Sequence, residues 1–120
     1  MCMTSNQVLT HSALRTGSLL GLSHAELARA LGLDQSTVSA MEHGLAELQG
    51  DTPSGQLALT LIKIYQSLTA NVGGDEQACK QWVCSHNTGL AGTPALLMQS
   101  EEGINAVLAY LQSMEAPQGR

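Results

Sequence analysis

Residues 22–44, LSHAELARALGLDQSTVSAMEHG, constrain the fold of this chain more than any other stretch. Ser23 precedes Glu26 by three residues, the spacing of a capping box, in which hydroxyl and carboxylate each bind a free backbone N–H of the first helical turn. Gly32 then supplies a tight turn, and Asp34 can cap a second helix through its side-chain oxygen. The stretch therefore predicts two short helices joined by a tight turn.

The rest of the chain is also helical by composition and periodicity. Leucine and alanine far outnumber valine and isoleucine, and unbranched side chains keep more rotamer freedom in a helix. We predict a first helix ending at Gly21, an amphipathic helix over 57–72 after a turn-rich break at 51–56, and a helix capped by Asp75. A cap residue and a proline at 93–94 predict the start of another helix, and a final helix follows. The predicted fold class is all-α.

Composition also limits how the helices are organised. The 120 residues include no phenylalanine, one tryptophan and two tyrosines, so the core must be mostly aliphatic. A core of this kind stabilises a monomer only modestly, and burial between subunits would help. We expect a helix-turn-helix unit over 1–50, a second helical unit over 56–120, and a homodimer or higher oligomer. The helix 57–72 and the last helix would build the shared dimer core.

Several classes of function are not expected. Cys2, Cys79 and Cys84 lack the spacing of a zinc site or a redox disulfide, which is typical of reduced thiols in a cytoplasmic protein. No apolar run reaches about 18 residues, and the N-terminus lacks the basic flank and apolar run of a signal peptide, so we expect no membrane contact. No catalytic constellation or phosphate-binding loop is evident. We therefore expect no enzyme activity, cofactor or metal.

The second helix of residues 22–44 has the spacing to lie across a DNA major groove while the first crosses the backbone. The residues that carry this pattern are Leu22, Glu26, Leu27, Ala28, Leu31, Gly32, Thr37, Val38, Ser39, Met41, Glu42 and Gly44. The pattern resembles the Cro/repressor (Xre) helix-turn-helix family. This resemblance implies binding to operator DNA, with base contacts from Gln35, Ser36, Ser39 and Ala40. The short polar side chains placed to reach phosphates are Ser23, His24, Thr37 and His43.

Charge argues against strong electrostatic DNA binding. The first 50 residues hold Arg15 and Arg29 against four carboxylates, and the whole chain carries a net charge of −5. DNA-binding domains are typically basic, and about two or three cationic contacts per subunit give only a shallow salt dependence. We therefore expect affinity from hydrogen bonds and from two copies bound at adjacent half-sites.

A second pattern runs through residues 78–115. Its members are Trp82, Asn87, Leu90, Gly92, Thr93, Pro94, Leu96, Leu97, Gly103, Val107, Leu108 and Leu111. The pattern resembles the toxin-binding domain of the Xre/MbcA/ParS antitoxin family. The resemblance implies an antitoxin that covers the active-site entrance of a RES-domain toxin, an enzyme that consumes NAD, and represses its own operon. The candidate toxin-binding residues are Asn87, Thr93, Pro94, Glu115 and Arg120.

The C-terminal tail, in which Arg120 is the only cation, is a candidate plug for a phosphate-binding pocket of the toxin. Trp82 and Tyr110 are expected in the core, since large aromatics at helical spacing usually pack inside. Two other functions stay open. The chain could be a stand-alone helix-turn-helix repressor with no toxin partner, or the helix-turn-helix could serve oligomerisation alone.

Overall fold

The computed structural model describes residues 5–114, which form seven α-helices. They are α1 (Ser5–Leu19), α2 (His24–Leu31), α3 (Gln35–Glu42), α4 (Pro53–Val72), α5 (Glu76–Cys84), α6 (Pro94–Leu97) and α7 (Glu101–Met114). Within this range the only β contact is one isolated bridge between Asn87 and Gly92. The predicted all-α fold is confirmed.

The short helices α2 and α3 begin at the two predicted N-caps, but only one cap is made by a side chain. Ser23 Oγ accepts a hydrogen bond from the Glu26 N–H at 3.1 Å, and Glu26 Oε1 accepts one from the Ser23 N–H at 2.8 Å, which confirms the capping box. The carboxylate of Asp34 makes no capping bond. The N–H groups of Thr37 and Val38 donate to the Asp34 carbonyl, as at any helix start, and without the carboxylate bond the predicted Asp34 side-chain cap is wrong.

This difference between the two caps predicts unequal costs of removal. Replacing Ser23 with alanine is expected to lower the free energy of unfolding by about 1 kcal/mol, because the Glu26 N–H loses the Ser23 hydroxyl as its acceptor. Asp34→Ala is the matched change at a cap without a side-chain bond, and it should cost only about 0.3 kcal/mol from the lost charge–dipole attraction. Urea denaturation of both variants measures this. Equal losses would contradict the assignment.

α4 is the central helix, and it begins earlier than predicted. The segment 51–56 was expected to be a turn-rich break, but the helix already starts at Pro53. Thr52 Oγ1 accepts a hydrogen bond from the Gly55 N–H at 3.1 Å, and Pro53 occupies the first turn, where a missing N–H costs nothing. The turn-forming residues of this segment therefore start the helix.

One hydrophobic core runs through both halves of the described chain. α4 contributes Ala58, Leu61, Ile64 and Leu68, none of which is exposed to solvent, and it packs against α1, α2, α5 and α7. The apolar stripe of α4 is thus covered largely within one chain. The shared dimer core stays a prediction. None of the helices within residues 5–114 combines the length and the hydropathy needed to span a bilayer.

Candidate functional site

α3 presents the side chains that the sequence assigned to base contact. Gln35 and Ser36 are exposed at its N-terminal end, and Ser39 and Ala40 are half-buried further along. Val38 is fully buried and anchors the helix to the core. All four candidate residues therefore keep some exposed surface on one short helix, as a reading helix requires.

The N-terminus of α3 also leaves two backbone donors available. The N–H groups of Gln35 and Ser36 make no hydrogen bond within residues 5–114. Free N–H groups at a helix start suit a phosphate oxygen. The exposed carboxylate of Asp34 lies at the same end and repels an anion there. This helix start can donate hydrogen bonds to DNA, but its electrostatic attraction for phosphate is weak.

The candidate phosphate contacts are partly engaged within the protein. His24 Nε2 lies 2.7 Å from Glu42 Oε2, which links the start of α2 to the end of α3. His43 Nδ1 lies 2.8 Å from the Ser39 carbonyl oxygen. Thr37 is half-buried and lines a groove of about 300 Å³ beside the segment that precedes α4. These side chains fix the geometry of the α2–α3 pair, and each histidine keeps one ring nitrogen for a ligand.

The loop between α5 and α6 is held by its own hydrogen bonds. The Asn87 N–H donates to the Gly92 carbonyl at 2.8 Å, which closes the loop. Asn87 Oδ1 accepts from the N–H groups of Gly89 at 2.8 Å and Leu90 at 3.2 Å. Ala91 has a positive φ of 57°. Asn87 thus bonds its own turn and sets the shape of the loop.

Thr93 and Pro94 join this loop to α6. Pro94 is the first residue of α6, directly after the loop, and its side chain is fully buried. Thr93 stands at the N-cap of α6, as predicted, and its carbonyl oxygen accepts from the N–H groups of Leu96 and Leu97. Its hydroxyl makes no capping bond. The other two candidate toxin-binding residues, Glu115 and Arg120, lie outside the described residues.

Trp82 of α5 and Tyr110 of α7 stack beside this loop. Their ring centroids lie 6.4 Å apart, with an interplanar angle of 24°. Both side chains are half-buried rather than fully enclosed. The prediction that they lie in the core is therefore corrected: they lie at its rim. Gly89 lies so close to the Tyr110 ring that a Cβ at this position would come within 2.6 Å of Cε1. The aromatic pair and the loop therefore form one packed surface.

The two described cysteines are free thiols in different surroundings. Burial raises the pKa of the Cys79 thiol above its ordinary value, and the negative charges of Asp75 and Glu76 raise it further. Cys79 is thus a protonated core residue, whereas Cys84 is exposed. Within residues 5–114 no group of three or more histidine, cysteine, aspartate or glutamate side chains could hold a metal ion.

Comparison with known families agrees with this geometry. Residues 13–66, which include α2 and α3, match a helix-turn-helix family model. The fold and this match define a helix-turn-helix protein. Residues 67–116 match the antitoxin Xre/MbcA/ParS C-terminal toxin-binding domain. The chain therefore has the architecture of the Xre/MbcA/ParS antitoxins. No curated protein matches the chain.

The two family matches meet between residues 66 and 67, inside α4. One helix thus belongs to both domains, and its buried residues lie on both sides of the boundary. The predicted units 1–50 and 56–120 stay a prediction.

Proposed function

We propose that this chain is an antitoxin that binds and blocks a RES-domain, NAD-degrading toxin and that binds operator DNA to repress its own operon. The observation that carries the proposal is the order of domains: a helix-turn-helix precedes an antitoxin toxin-binding domain in one chain. The choice of a RES-domain toxin rests on the resemblance carried by residues 78–115. The chain acts by binding and not by catalysis.

Operator recognition relies on hydrogen bonds more than on charge. Gln35, exposed at the start of α3, can pair with N6 and N7 of adenine, and Ala40 can contact a thymine methyl group. The contacts of His24 with Glu42 and of His43 with Ser39 hold the reading helix in place. Because one copy offers few cations, a homodimer on two half-sites supplies the affinity.

Titration of the purified chain with the DNA upstream of its own gene, at several salt concentrations, tests operator binding. We expect a shallow salt dependence, far below that of a protein making about 6–10 phosphate contacts. Gln35→Ala should weaken specific binding by about 5- to 150-fold and leave non-specific binding unchanged. Gln81→Ala, at an exposed glutamine of α5, is the matched control. A steep salt slope, or equal effects of both variants, would reject this mode of recognition.

Toxin neutralisation is tested by co-expressing the chain with a RES-domain protein encoded by the neighbouring reading frame. The RES-domain protein alone should deplete cellular NAD and arrest growth, and the full chain should restore both. Deleting residues 117–120 should preserve the complex but weaken neutralisation, because the guanidinium of Arg120 is the proposed plug of a phosphate pocket.

Two results of this co-expression would be decisive. Full protection by the shortened chain would reject the tail as the plug. Failure of the full chain to protect would reject the antitoxin proposal, and operator binding without protection would instead support a stand-alone repressor.

A further inference from the structure

The stacked pair of Trp82 and Tyr110 is unusual for this chain. Its interior is built almost wholly from aliphatic side chains, and no aromatic residue is among the buried core residues of the described part. Yet the single tryptophan and one of the two tyrosines lie together, half-exposed, in the toxin-binding domain. Trp82 packs against the edge of the core, but packing does not account for the exposed part of the two rings.

The polar atoms of the pair are not fully buried. The indole N–H of Trp82 and the hydroxyl of Tyr110 make no hydrogen bond within residues 5–114. No buried side-chain nitrogen or oxygen in that range lacks a partner, so these two atoms are not buried. The surface thus combines the partly exposed rings of two aromatic side chains with two donors that have no partner within residues 5–114, a combination found where aromatic residues bind a partner.

The pair is held rigidly before any partner arrives. Val83 of α5 and Val107 of α7 are fully buried and fix the two helices on the core. Gly89 lies against the edge of the Tyr110 ring, and Asn87 fixes the turn that carries Gly89. A fixed surface loses little side-chain freedom when it binds, and this favours affinity.

We propose that Trp82 and Tyr110, with the Gly89 turn packed on them, form the anchor surface that binds the toxin. The inference rests on the proposed function, since residues 67–116 are a toxin-binding domain. Tryptophan and tyrosine are enriched among the few interface residues that dominate binding energy. The complementary toxin surface is a shallow apolar pocket with hydrogen-bond acceptors at its rim, which receive the indole N–H and the phenol hydroxyl.

The single tryptophan allows a test without any substitution. The chain is produced with 5-fluorotryptophan, so that Trp82 gives one fluorine NMR signal, and is titrated with the purified, unlabelled RES-domain protein from the neighbouring reading frame. Calorimetry follows complex formation independently. We expect the fluorine signal to shift when the toxin binds. A soluble gadolinium chelate should relax this signal in the free chain but no longer in the complex. A complex that leaves both the shift and the chelate access unchanged overturns the proposal.

Substitutions give a second readout. Tyr110→Ala should weaken toxin binding by about 30-fold or more, and Tyr110→Phe, which keeps the stacked ring, should have a much smaller effect. Tyr65→Ala is the matched control, since Tyr65 is also half-buried but lies on α4. It should change binding by less than about three-fold. Circular dichroism confirms that each variant is folded at the temperature used.

The outcomes separate the two proposals. If the wild-type chain fails to bind the RES-domain protein, both the proposed function and this inference are wrong. If the wild-type chain binds but Tyr110→Ala and Tyr65→Ala bind equally well, the antitoxin function stands and only the anchor surface is rejected.

Discussion

Replacing Leu61 with alanine is expected to lower the free energy of unfolding by about 3–5 kcal/mol. Leu61 is fully buried on α4, which packs against helices from both halves of the chain. The truncation removes apolar contacts and leaves a cavity that the surrounding helices fill only in part. Since domains are stable by only about 5–15 kcal/mol, operator binding and toxin binding should fall together on warming.

Leu59→Ala makes the same chemical change two residues away on α4, where the side chain is 40% exposed. It should cost clearly less than Leu61→Ala, about 1 kcal/mol, because less apolar area leaves water at this position and no closed cavity is created. Urea denaturation followed by circular dichroism and by Trp82 fluorescence measures both variants. We expect Leu61→Ala to shift both signals together. If the urea midpoint seen by Trp82 fluorescence in Leu61→Ala stays at its wild-type value, the two domains unfold independently. This result would contradict the shared core.

The features predicted correctly from sequence are those encoded within one helical turn. The pair Ser23 and Glu26 forms the capping box, Asp75 caps α5, and Gly32 ends α2 in the left-handed conformation. Each signal depends on residues no more than a few positions apart. Local chemistry is therefore sufficient to place these helix ends.

The errors arise where one residue type serves two local structures. Asp34 and Thr93 stand at N-caps as predicted, but neither side chain makes a capping hydrogen bond. Residue identity indicates where a helix starts but does not specify whether the cap side chain bonds to it. Similarly, Thr52 and Pro53 suit a turn or a helix start, and only the packing of α4 decides between them.

The contacts that shape both candidate surfaces join distant parts of the sequence. His24 binds Glu42 across the α2–α3 pair, and Trp82 stacks on Tyr110 across α5 and α7. Helical periodicity indicates which face of each helix is apolar, but it does not indicate what lies across from that face. Tyr110 was therefore assigned to the core, although its ring lies at the rim of the core beside the Gly89 turn.

Replacing Gly103 with alanine is expected to lower the free energy of unfolding by about 3 kcal/mol, at the upper end of overpacking costs. Gly103 is buried in the first turn of α7, where a Cβ would overlap the carbonyl group of Leu97 at the end of α6. Backbone atoms cannot give way by changing rotamer, so α6 and α7 must move apart. Because α6 continues the loop that contains Gly89, toxin binding should weaken, while operator binding persists wherever the variant is folded.

Gly50→Ala is the matched control, because a Cβ at Gly50 meets no atom within 4 Å. Its stability should stay unchanged or rise by up to about 1 kcal/mol, since alanine restricts the unfolded chain. Urea denaturation and toxin titration of both variants measure the contrast. A Gly103→Ala protein as stable as the control, with wild-type toxin affinity, would show that the approach of α7 to Leu97 does not position the toxin-binding loop. The loop would then depend on Asn87 and its own hydrogen bonds alone.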